Sequence, residues 1–120
     1  MPHLTLEYTG NLPQFDIENV LLELNKALVD SGQFEEIDIK SRAVRHDTFV
    51  VGTSLNNRGF VHVTLAILSG RSVQIKSALT EKLLHTLRQV YETSVNVHVQ
   101  LCVEVRDIER EPYAKASIGQ

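Results

Sequence analysis

Pro2 directly follows Met1. Removal of Met1 makes it an N-terminal proline, a secondary amine with a usable lone pair. A proline inside a chain is a tertiary amide and has none. An α-amino group has a reference pKa of about 7.7–8.0. A secondary amine is more basic, and apolar surroundings or nearby cations lower its value. Such an amine can act as a general base near neutral pH. A proline at position 2 also simply eases removal of the initiator methionine. Arg71 stands between Gly70 and Ser72 at the start of a predicted helix. Free amides, the helix dipole and a guanidinium converge there, which suits a carboxylate, although a solvent-facing loop arginine has the same local sequence. Lys40 and Arg42 share one face of a predicted strand, and Arg45 has the opposite parity. Cations on that face need a partner, an anion or water, and Glu7 or Glu104 on the same face would serve.

The remaining reactive side chains form no recognisable constellation. The five histidines, His3, His46, His62, His85 and His98, are not spaced like a metal site and have no cysteine partners. No Ser/His/Asp arrangement, phosphate loop or CxxC appears. The single cysteine, Cys102, reads as a buried small residue. It cannot make an internal disulfide, so the chain is not a stapled secreted scaffold.

Two similar units must position these residues. His3-Leu4-Thr5-Leu6 recurs 59 residues later as His62-Val63-Thr64-Leu65. In the first unit Leu4, Leu6 and Tyr8 alternate with His3, Thr5 and Glu7, the pattern of a half-buried strand. Ile17, Val20, Leu21, Leu24 and Leu28 then fall on one helix face, which Gly32 closes as a C-cap. Ile37, Ile39 and Ala43 alternate as a second strand. The second unit repeats the order. Val61, Val63, Leu65 and Ile67 form a strand, and a helix from about Ser72 to Tyr91 buries Leu79, Leu83, Leu87 and Val90. A last strand alternates Val95, Val97, Val99, Leu101, Val103 and Val105 against polar neighbours.

The reading is one α+β domain over residues 1–120, with repeats at 2–45 and 60–106, a junction at 46–59 and an irregular tail at 107–120. Turn residues fill the junction, where Val50 and Val51 could form a short strand. Each β-α-β unit favours parallel pairing through a right-handed crossover. Two units give a four-stranded mixed sheet with both helices on one face. The other face displays His3, Thr5, Glu7, Lys40, Arg42, His62, Gln100 and Glu104. It is either solvated or the inside of an oligomer.

Composition narrows the classes. The 120 residues are 42% hydrophobic and 22% charged, with a net charge of −3, which is ordinary globular usage. The acidic balance, with four Phe and three Tyr, argues against a nucleic-acid binder. No apolar run approaches the roughly 20 residues of a membrane span. Met-Pro-His lacks a basic-then-apolar signal pattern, so a reducing, cytoplasmic setting is expected. A chain this size buries only about two-thirds of its surface, which leaves room for oligomerisation.

Taken together, Pro2-His3 opening a strand that ends in Glu7, Lys40-Ser41-Arg42, Phe60-Val61-His62-Val63-Thr64-Leu65 and Gly70-Arg71-Ser72 resemble the 5-carboxymethyl-2-hydroxymuconate isomerase family of the tautomerase superfamily. The similarity runs from Pro2 to about Arg106; the tail from Glu109 to Gln120 does not match. The resemblance implies a β-α-β-β-α-β subunit assembled as a homotrimer, with Pro2 as the catalytic base and Arg71 and Arg42 holding substrate carboxylates. The sequence departs from the family at Lys40, where arginine is the expected residue. Lysine keeps the charge but loses the planar fork, so Lys40 is a helper to Arg42. Val61 occupies the place of Pro2 in the second unit, giving one proline site per subunit.

The implied activity is keto–enol tautomerisation or double-bond migration in an unsaturated 2-oxo or 2-hydroxy di- or tricarboxylic acid, such as 5-carboxymethyl-2-hydroxymuconate. It needs neither a metal nor an organic cofactor. The alternatives are another reaction of the superfamily (hydration, decarboxylation or dehalogenation) and a non-catalytic trimeric binding protein of the same fold.

Overall fold

The computed structural model describes residues 1–91 and 96–119. Its elements run β1 (His3–Thr9), α1 (Ile17–Asp30), a 3-10 turn (Glu36–Asp38), β2 (Lys40–His46), β3 (Arg58–Leu68), α2 (Val73–Val90) and β4 (His98–Ile108). The sheet order is β2-β1-β3-β4. β1 pairs parallel with β2, β3 pairs parallel with β4, and the central β1–β3 pair is antiparallel. This is the four-stranded mixed sheet expected of two β-α-β units. In the central pair Thr5 lies directly opposite Thr64, the residue 59 positions further on.

Period-two alternation decides which face is buried. Leu4 and Leu6 of β1 and Val61, Val63, Leu65 and Ile67 of β3 are fully buried. Leu24 and Leu28 of α1 and Leu79, Leu83 and Leu87 of α2 cover them, so both helices lie on one side of the sheet. Asp16 caps α1 by accepting from the Asn19 amide, and Ser72 caps α2 by accepting from the Ile75 amide. Ser31 is the last residue of the α1 terminus, and Gly32 follows it with a φ of +74°. That left-handed conformation favours glycine.

The strand registers place His3, Thr5, Glu7, Lys40, Arg42, His62, Gln100 and Glu104 on the opposite, outer face. A chain of polar contacts crosses it. His46 Nε2 lies 2.8 Å from Glu7 Oε1, His62 Nε2 lies 2.7 Å from Glu104 Oε2, and Arg106 Nε donates to Glu104 Oε1 at 2.9 Å.

Four expectations need correction. Ile37 does not sit in a strand: it lies in the 3-10 turn and is 84% exposed. Cys102 is exposed, not buried, because it shares the outer face with its partner His62. Val50 and Val51 form no strand, and only an isolated Val51–Ser54 bridge occurs there. β4 continues to Ile108, past the expected limit at Arg106. Val95, expected in the last strand, lies outside the described residues. Among the described residues no helix is long and apolar enough to cross a membrane.

Candidate active site

The first residues of the chain run along the edge formed by the 3-10 turn and β2. Pro2 is buried, and its carbonyl accepts from the Lys40 amide at 3.1 Å. The terminal amine lies 3.4 Å from the Asp38 carbonyl and 3.9 Å from Asp38 Oδ2. Burial lowers the pKa of that amine. Asp38 opposes the shift, while Lys40, Lys115 and Arg71 add to it. The start of the chain therefore occupies a setting that favours a neutral amine.

Met1 opens onto a cleft of about 190 Å³ lined also by Phe34, Asp38, Leu68, Arg71 and Arg110. Three turns build it. The loop after α1 supplies Phe34, the 3-10 turn supplies Asp38, and the β3–α2 turn supplies Arg71. That last turn depends on Gly70, whose φ is +122°. Arg71 is held firmly. Its Nε donates to Gln33 Oε1 at 3.1 Å, Nη1 to the Leu68 carbonyl at 3.5 Å and Nη2 to the Gln33 carbonyl at 3.0 Å. Its guanidinium also stacks 4.7 Å above the Phe34 ring. A guanidinium has five N–H donors. Three are used, so one remains on each Nη, a pair spaced to meet a carboxylate.

The second-strand cations separate. Lys40 Nζ donates to the Asp38 carbonyl at 2.6 Å, the same oxygen that receives the terminal amine. Lys40 thus stands beside the chain start. Arg42 is exposed on the outer face, with Nη2 3.0 Å from His3 Nδ1. Because arginine only donates, His3 Nδ1 accepts and Nε2 carries the proton, which it gives to Tyr113 Oη at 3.0 Å. Burial, then Arg42 and Lys40, lower the His3 pKa and keep this neutral form. Neither Lys40 nor Arg42 pairs with Glu7 or Glu104, whose carboxylates are taken up by histidines and Arg106. The structure therefore joins Lys40 to Pro2 at the chain start, puts Arg71 in the cleft that Met1 opens onto, and turns Arg42 to the outer face.

Sequence reading missed Asp38, Arg110, Tyr113 and Lys115. Lys115 Nζ lies 2.6 Å from Asp38 Oδ1 and, chiefly through that hydrogen bond, holds the Asp38 carboxyl below its ordinary range. The tail that carries Arg110, Tyr113 and Lys115 is mixed in charge and has no periodicity, so its sequence gives no signal of these contacts. Among the described residues no group of three or more His, Cys, Asp or Glu is placed to hold a metal ion.

Comparison with known proteins identifies the fold and the family. The family model described as 5-carboxymethyl-2-hydroxymuconate isomerase matches residues 2–119. The chain is 28% identical over 89 residues to the 5-carboxymethyl-2-hydroxymuconate Delta-isomerase of Escherichia coli, covering 73% of this chain and 71% of that protein. The crystal structure of a 5-carboxymethyl-2-hydroxymuconate isomerase from Deinococcus radiodurans superposes with a TM-score of 0.86 at 30% identity, covering 98% of this chain and 90% of that one. A fused 4-OT solved as a symmetric trimer shares the fold, with a TM-score of 0.68 at 18% identity over 95% of this chain and 93% of that one. The family match extends through the tail that the sequence resemblance left out. With all four strands and most of the tail inside one continuous match, this chain belongs to the 5-carboxymethyl-2-hydroxymuconate isomerase family and is an isomerase of the tautomerase superfamily.

Proposed function

We propose that the protein tautomerises an unsaturated 2-hydroxy or 2-oxo di- or tricarboxylic acid of the 5-carboxymethyl-2-hydroxymuconate type, with Pro2 as base and acid once Met1 is removed. The carrying observation is that the chain start and Arg71 share one cleft in which burial and cations lower the pKa of the terminal amine. Neutral Pro2 takes a proton from the 2-hydroxyl of the dienol. The oxygen electrons form the ketone, and the displaced double-bond electrons move along the diene. The protonated amine returns the proton at a distal carbon. No net charge, electron or atom is gained. Proton transfer by a positioned group contributes about 10²–10⁴-fold. The unused Nη donors of Arg71 hold a carboxylate and the developing dienolate charge. Lys40 adds positive potential beside the amine.

The assembly we infer is a homotrimer whose outer sheet faces turn inward. The polar, partly buried outer face and the exposed Cys102 support an enclosed role for that face, as does the symmetric trimer formed by the fused 4-OT relative. In that arrangement Arg42 presents its guanidinium toward a neighbouring subunit. We infer a cytoplasmic setting, in keeping with a single unpaired thiol.

The test is ultraviolet ketonisation of a 2-hydroxymuconate-type dienol by protein whose N-terminal Pro2 is verified by intact mass. Turnover that falls sharply in Pro2→Ala, with the residue left by a primary amine, is the expected result. Activity unchanged by that substitution would remove Pro2 from the mechanism.

A further inference from the structure

Arg110 lies two residues beyond the end of β4 and reaches back across the turn that carries Arg71. Its Nε donates to the Ser69 carbonyl at 2.5 Å. A Cβ placed on Gly70 would lie 3.4 Å from Arg110 Nη2, an ordinary contact distance, so the guanidinium packs directly over this turn. Arg110 then lines the same cleft as Met1 and Arg71. The tail is fastened on both sides of it. Before it, the Ser69 amide donates to the Ile108 carbonyl at 2.9 Å. After it, Tyr113 meets His3 and Lys115 meets Asp38.

These contacts hold the Arg110 backbone while leaving most of its donors unused. Of five N–H groups one is spent on Ser69, and among the described residues the structure shows no partner for Nη1 or Nη2. The cleft also contains two carboxylates. Asp38 is already paired with Lys115, and Glu35 offsets only part of the charge of the two arginines. Two guanidinium groups with open donors thus face one small cleft from different segments of the chain.

We propose that Arg110 is a specificity-determining residue: it binds a second carboxylate of the substrate, apart from the one held by Arg71, and selects dicarboxylates over monocarboxylates. This rests on the proposed carboxylate chemistry of the cleft. It is tested by binding, so that it stands or falls separately from turnover. Calorimetric titrations at about 0.15 M salt compare cis,cis-muconate with sorbate, a monocarboxylate of the same carbon-chain length. The proteins are wild type, Arg110→Ala, Arg110→Lys and the distant control Arg88→Ala on α2.

Losing a charge-assisted contact should weaken muconate binding about 10- to 100-fold in Arg110→Ala. Sorbate affinity should stay within about twofold, Arg110→Lys should fall between, and Arg88→Ala should match wild type. Equal weakening of both ligands, unchanged muconate binding, a matching loss in Arg88→Ala, or no muconate binding by wild type would each overturn the assignment. If muconate selectivity follows Arg110 but no dienol is turned over, the clamp stands and the proposed reaction falls. If dienols are turned over and Arg110→Ala binds muconate normally, the reverse holds.

Discussion

Replacing Arg71 with alanine should damage binding and local structure by separable amounts. In the folded chain Arg71 makes two good hydrogen bonds to Gln33, at 3.1 and 3.0 Å, and a longer one to Leu68. It also stacks on Phe34. The site is half-buried and open to water, so the acceptors left behind become solvated and the stability cost is modest, about 1–2 kcal/mol. That lowers the melting temperature by several degrees. The two unused Nη donors are lost with the side chain. A bidentate carboxylate contact, discounted for the open cleft, is worth about 2–3 kcal/mol, or about 30- to 150-fold in kcat/KM. A loss confined to KM would mean that Arg71 holds the ground state and transition state equally, whereas a fall in kcat would mean that it meets the dienolate more strongly. Arg71→Lys keeps the charge without the fork and should recover roughly half of the logarithmic loss. Initial rates by ultraviolet absorbance and a thermal melt read both effects. A folded Arg71→Ala protein with kcat/KM within about threefold of wild type would refute the carboxylate role.

Two further outcomes follow from the geometry. A Cβ at Gly59 would lie 2.6 Å from Thr9 Oγ1 and 2.9 Å from Leu12 Cδ2, and the buried Thr9 hydroxyl already receives the Phe60 amide. Gly59→Ala should therefore cost about 1–3 kcal/mol, and an unchanged urea midpoint would contradict that packing. The lowered pKa values of His3 and Asp38 both make stability fall on acidification. His3 resists protonation in the fold, so its contribution is present above its ordinary value of 6.5 and is lost as pH falls through its lower folded value. Asp38 favours its charged form, so its contribution is present above 3.8 and is lost below that. Melting temperature against pH should show a flatter acid limb in Asp38→Asn, and an acid limb identical to wild type would remove Asp38 from the account.

The framework was legible because it rests on local periodicity. Leu4 and Leu6, and Val61 through Ile67, alternate strictly, and the helix leucines recur at three- and four-residue steps. Ile37 was misread because a three-residue 3-10 turn is too short to break an apparent alternation with Ile39. Cys102 was misread by residue type, although its parity with Gln100 and Glu104 already placed it on the outer face. The cleft was only partly legible. Pro2 and Arg71 stand out through their neighbours, but Asp38, Arg110 and Lys115 reach the site through contacts across dozens of residues that carry no periodic mark. Lys40 and Arg42, equivalent by strand parity, separate because one side chain turns to the Asp38 carbonyl and the other to His3.

The direct pairing of Thr5 with Thr64 has an evolutionary consequence. A local two-fold axis runs through that pair, so the two halves meet as the subunits of a symmetric dimer would. In a true dimer every substitution appears twice, and a change that helps one copy is forced on the other. Joined in one polypeptide, the halves escape that constraint. Opposite His62, at the register that Lys40 holds against His3, stands Cys102; Glu104 likewise faces Thr64 where Arg42 faces Thr5. The edge strand of one half can carry cations where its counterpart carries a thiol and a carboxylate, so duplication here supplies freedom to diverge as well as added bulk.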